Sequence, residues 1–169
     1  MASGEWVTDY VQSRASSEHK EHEGVELRSS ELAQIRAPGF FQLLINRVAS
    51  DVRAFNSYKG NGRIVFQILS ESPDGGFAKW TGFFVAQRER YPFIGLTVKL
   101  RDIFIDYERT IVADKNQKET VRGVFRIFAA PQGHVHTVLD GEPYCDVAEI
   151  SEVLLRPVFD CVDFNTLGW

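Results

Sequence analysis

The sequence predicts an α+β domain. N-terminal helices lead into an antiparallel meander of five or six strands and a short C-terminal helix, with the helices packed on one face of a curved sheet. Three observations carry this prediction. Apolar residues recur at three- and four-residue steps up to residue 58 and at two-residue steps from residue 63. Clusters of Gly, Pro, Asp and Asn separate the alternating runs. Helical spacing then returns just before Pro157. The chain has 169 residues, 44% of them hydrophobic, which suits a single domain over residues 1–169 with a substantial core. Its 13 phenylalanines bring large apolar areas to that core.

The first helix is expected over residues 4–22. Trp6, Val7, Tyr10 and Val11 repeat at helical steps, and Ser3 can cap the start. The stretch "SSEHKEHEG" is polar all round, so only the first turns are expected to dock, and Gly24 reads as a stop. Residues 1–24 are then a partly detached helix, and 25–169 the helix-plus-sheet core. "VELR" at 25–28 reads as a short strand or a connector. Residues 30–58 read as helix in two pieces, with Pro38 suited to a first turn. Phe41, Leu44, Ile45, Val48, Val52 and Phe55 fall on one face of the second piece.

Six runs then alternate: "RIVFQILS", "GFAKWTGFFVAQ", "YPFIGLTVKL", "DIFIDYERTIVA", "ETVRGVFRIFAA" and "HVHTVL". Apolar parity flips between Leu100 and Ile103, which requires a tight turn or a bulge. Turn chemistry sets the pairing. "SPDGG", with Gly75 left-handed, places Phe66 opposite Gly82 and Ile68 opposite Trp80. The long helix is expected on that side, leaving Val65, Leu69, Phe77, Phe83 and Val85 outside. "APQGH", with Gly133 left-handed, pairs Ala130 with His134. His134 and His136 then share the outer face with Arg122, Val124, Arg126 and Phe128. For "ADKNQK" the expected pairs are Asp106 with Arg126 and Thr110 with Arg122, a charge-complementary ladder. The last helix is expected over about 147–156, opened by Asp146 and Glu149 as a capping box and stopped by Pro157.

Charge and motifs narrow the function classes. A net charge of −4 argues against a nucleic-acid partner. No apolar run approaches the roughly 20 residues of a membrane helix, and "MASGEWVTDYVQSR" does not read as a leader. The expectation is a cytoplasmic protein without a membrane partner. Cys145 and Cys161 flank the last helix and are expected as reduced thiols, although a bridge is geometrically open. No G-x-S-x-G elbow is present, and "YKGNGR" has neither P-loop nor dinucleotide spacing. No cofactor is expected.

Two functional readings remain, and neither settles whether the chain is an enzyme. The first is a non-catalytic ligand-binding or assembly module. An apolar strip beside a charged field on the outer face calls for a cover. Trp80, Phe83, Arg122, Arg126 and Phe128 are the candidate binding residues, with a small apolar ligand held between helix and sheet, or a homo-oligomer partner on the sheet's outer face, as occupant. The second is a small metal-dependent hydrolase. His134 and His136 lie two apart on a strand, and His19 and His22 three apart on a helix, so each pair could share an ion. The plainer account of both pairs is a solvated strand and a solvated helix end. In element order, a long helix followed by a curved sheet resembles the cone-shaped and helix-grip ligand-binding folds.

Overall fold

Alternation is clearest in the stretch Phe93–Arg101, where Ile94, Leu96 and Val98 are buried while Gly95, Thr97 and Lys99 face away. A computed structural model describes residues 5–59, 64–71, 79–87 and 91–166, with side chains placed over 29–58, 64–69, 82–87 and 91–162. Helix α1 spans Glu5–Lys59. Seven strands follow: β1 Val65–Glu71, β2 Lys79–Gln87, β3 Phe93–Arg101, β4 Phe104–Asp114, β5 Gln117–Ala129, β6 Val135–Leu139 and β7 Glu142–Tyr144. Helix α2 spans Val147–Thr166. The strands form one antiparallel sheet in the order β1 to β7, each paired with its neighbours in sequence. The sheet is not closed, and the helices pack against it, so the α+β architecture stands.

Both helices run longer than their sequence punctuation suggests. Gly24 does not stop α1, which is continuous through the two expected pieces and through 25–28. One glycine costs a helix only about 1 kcal/mol relative to alanine. The flanking Glu, Lys, His and Arg residues supply no competing turn. Pro38 therefore lies inside α1 rather than in a first turn, and Pro157 lies inside α2. Each proline forfeits one intrahelical hydrogen bond, but tertiary packing outweighs that loss. Around Pro157 the buried residues Leu154, Leu155, Val158 and Val162 continue the apolar stripe. The start of α2 is capped as expected: the Ala148 N–H donates to Asp146 Oδ1 at 3.1 Å, and the Cys145 N–H to Glu149 Oε2 at 3.1 Å.

The sheet has a seventh strand, β7, beyond the five or six that the sequence predicts. Asp140 and Gly141 form the two-residue loop before it, with φ of +51° and +81°. Positive φ at both positions is the requirement of a tight hairpin, and Asp-Gly is its usual signature. The parity flip after Leu100 is a tight turn at Asp102, whose φ is +56° and which closes the pair Arg101↔Phe104.

Registers decide the faces. The β5–β6 hairpin has the expected register, with Phe128 opposite His136 and Gly133 at φ +98°. In β4–β5 the pairs slip by two residues, so Glu108 rather than Thr110 faces Arg122, and parity and face are kept. The first hairpin overturns its expectation. Ile68 lies opposite Phe83 and Phe66 opposite Val85. Phe83 and Val85 are therefore core residues, both 0% exposed, and Phe84 faces outward. The register shifts between Leu69 and Ser70, so Thr81 is the extra residue on β2, and the turn-based count missed this bulge. Burying Phe83 and Val85 removes far more apolar area from water than burying Gly82 and Phe84 would.

The helices share the inner face. In α1 the buried residues Ala37, Phe41, Leu44, Ile45, Val48 and Val52 face the sheet, and Ile150, Leu154 and Val158 do so from α2. Helix α1 lies over β5 and β6, helix α2 lies over β2, β3 and β7, and the two helices touch each other. Asn56 ties the end of α1 to the sheet: its side chain donates to the Ile64 carbonyl at 2.9 Å and accepts the Ile64 N–H at 3.1 Å. On β5, Gly123 leaves room for its cross-strand neighbour. A Cβ there would stand 2.4 Å from the Tyr107 ring, which covers the gap and reaches Phe125 at 5.7 Å.

Candidate functional site

With the inner face filled, the outer face of β3 to β6 carries the exposed chemistry. Strand alternation sends Arg101, Phe104, Asp106, Glu108, Arg122, Val124, Arg126, Phe128 and His136 to that side. Arg101 holds Asp106 with Nε–Oδ2 at 3.0 Å, and this hydrogen bond, then the carboxylate's charge, raises the guanidinium pKa. Arg122 Nε holds Glu108 Oε2 at 2.7 Å. Both pairs are exposed and screened by water, so neither contributes much to stability.

Arg126 differs from those two. Among the described residues it has no carboxylate partner. Its guanidinium carbon lies 4.8 Å from the Phe128 ring centroid. Phe128 in turn stacks on His136, with centroids 5.3 Å apart and planes 12° apart. On β4, one strand away, Phe104 is the direct cross-strand partner of Arg126, and Arg101 of β3 lies 5.0 Å from the Phe104 ring. Cations and rings from four adjacent strands thus alternate along one end of the sheet.

Three grooves adjoin this face. One, of about 390 Å³, has Phe84, Phe93, Gly95 and Val112 around it. The next, about 430 Å³, runs between Lys99, Asp106, Arg122 and Val124. The third, about 420 Å³, lies where Ser29, Ser30 and Ala33 of α1 meet the end of β5, and it includes Arg126 and Phe128. A fourth groove, of about 600 Å³, follows the seam between α1 and α2. Of these four grooves, only the third lies between a helix and the sheet, at the sheet margin where α1 crosses it.

The expected binding residues separate. Arg126 and Phe128 come into contact with each other. Arg122 shares their face but is engaged by Glu108. Phe83 is fully buried, packed against Phe66 at 5.7 Å and Phe41 at 6.1 Å, so it offers no surface to a ligand. Trp80 pairs with Ser70 through the backbone, and its side chain lies outside the described residues. His134 is exposed and His136 half-buried, both on the outer side as Gly133 requires. The side chains of His19 and His22 lie outside the described residues. Among the described residues, no three His, Cys, Asp or Glu side chains group as a metal site. His136 as partner to Phe128, and Ser29 and Ser30 beside Arg126, were missed by sequence reasoning. The first was legible from the register, since Phe128 and His136 are direct partners; the second depends on where α1 crosses the sheet.

The chain matches no protein-family model, no curated protein and no solved structure. No helix among the described residues is long and apolar enough to cross a membrane.

Proposed function

We propose that the chain is a non-catalytic binding module that takes its ligand or partner on the outer face of the sheet. One observation carries the reading: among the described residues Arg126 has no carboxylate partner on that face, and its guanidinium carbon sits over a Phe128 ring that is itself stacked on His136. An exposed cation held over a ring is a recognition feature in search of an occupant. Two further facts support it. Phe41, Phe83 and Phe125 fill the space between helices and sheet, each at most 1% exposed. The α1–α2 groove is stitched by its own contacts, with Phe55 stacked on Phe159 at 4.2 Å and Asp51 bonded to Ser151 at 2.7 Å.

The experiment is a small-molecule screen on isotope-labelled full chain, read by amide shifts, alongside sedimentation velocity over a range of concentrations. Outward residues of β3 to β6, such as Thr110, Val124 and Phe128, are expected to respond to a bound compound or to self-association. Responses confined to the α1–α2 groove would overturn the reading. So would zinc-dependent hydrolysis of a generic ester that disappears in His134→Ala and His136→Ala.

A further inference from the structure

Strand β4 begins at Phe104, whereas β5 continues past the matching position to Ala129. The Ile127 N–H still reaches the Ile103 carbonyl at 2.8 Å, but Phe128 and Ala129 have no partner in β4. A notch is left at the sheet margin. Helix α1 crosses it, and the Ser29 hydroxyl donates to the Ala129 carbonyl at 3.4 Å. The resulting groove of about 420 Å³ has Ile103, Ile127 and Ala33 as apolar walls, with Arg126, Phe128 and Ser30 also bordering it.

We infer that this groove binds a monocarboxylate carried on a flat apolar body, an inference that rests on the outer face being the binding side. Charge sets the first half of the assignment. Of the three outward arginines, Arg101 and Arg122 are each paired with one carboxylate, and Arg126 has none among the described residues. Among those residues the groove therefore offers one uncompensated positive charge. A carboxylate matches it, whereas a phosphate dianion would bury a surplus negative charge. Geometry points the same way. The guanidinium carbon sits over the Phe128 ring, and one ring cannot engage all five N–H donors of the group, so others remain for a ligand. A planar fork of donors fits the two oxygens of a carboxylate. Ser30, half-buried and bordering the same groove, adds a hydroxyl. The apolar walls and the Phe128 ring account for the second half. A volume of about 420 Å³ falls at the small end of the range for small-molecule sites.

The test titrates labelled full chain with benzoate, benzamide, acetate and phenyl phosphate, read by amide shifts. Benzoate is expected to saturate shifts at Ile103, Ile127 and Phe128. Benzamide lacks the charge and acetate lacks the ring, so each should bind at least about tenfold more weakly. Arg126→Ala should abolish the benzoate response, and Arg53→Ala, an exposed arginine on α1, should leave it intact. Equal binding of benzamide, tighter binding of phenyl phosphate, an undiminished response in Arg126→Ala, or no saturable benzoate response each overturns the inference. Benzoate shifts confined to Phe84, Gly95 and Val112 would sink the notch as the site while keeping the outer face as the binding side. Shifts confined to the α1–α2 groove would sink both.

Discussion

At Gly133 the backbone adopts φ +98°, a conformation that side chains resist. The Arg36 Nη1 donates to the Gly133 carbonyl at 3.1 Å, so this turn is also where α1 grips the β5–β6 hairpin. An alanine Cβ would lie 3.4 Å from that same nitrogen. Gly133→Ala is expected to cost about 1–2 kcal/mol, read as a lower urea midpoint. An unchanged midpoint would mean the turn does not need its glycine. The two cysteines give a second residue-level prediction. From Val147 to Cys161 the helix rises about 21 Å, far beyond the reach of a bridge to Cys145, and both thiols are free. Cys145 is exposed; Cys161 is half-buried, and burial pushes its pKa up. A raised pKa leaves less thiolate at neutral pH. Cys145 should therefore react first with a thiol reagent in the native protein, and Cys161 should catch up only on unfolding. Equal native rates would contradict the burial of Cys161.

At the scale of elements, the seam between α1 and α2 is fixed by one buried polar contact. Ser151 is 0% exposed, and its hydroxyl donates to Asp51 Oδ2 at 2.7 Å. Asp51 also accepts from Arg47 Nε at 3.0 Å. Ser151→Ala leaves Asp51 one partner and is expected to cost about 1–2 kcal/mol by chemical denaturation. Asp51→Ala strands the buried hydroxyl and should cost as much or more. The double variant should lose less than the two singles together, because they remove one interaction. Additive losses would show that the contact does not couple the helices. The faces of these helices were legible because the helical repeat is a property of the backbone. Phe41, Leu44, Ile45, Val48 and Val52 all face the sheet as their spacing required. The ends were not legible. Pro38 and Pro157 are local signals worth about 3 kcal/mol each, and a long buried stripe outweighs them, while Gly24 is a weaker stop still.

For the whole molecule, the buried residues of both helices and of β2 to β6 belong to one hydrophobic cluster. Phe125 stands in its middle, with Tyr107 at 5.7 Å and Tyr144 at 5.6 Å. Phe125→Ala is expected to lose about 3–5 kcal/mol, and calorimetry of the wild type should give a single transition with matching calorimetric and van't Hoff enthalpies. Two transitions would mean that the helices and the sheet unfold as separate units. By itself the sequence determined the class of architecture, the helix-then-meander order and the outward direction of His134 and His136. Those depend on periodicity and on one glycine turn, which act over a few neighbouring residues. Only the tertiary structure decided that Phe83 belongs to the core and that Ser30 borders a groove with Arg126 and Phe128. A bulge shifts every side chain beyond it to the other face, and the crossing of α1 over the sheet is set by packing between elements far apart in the chain.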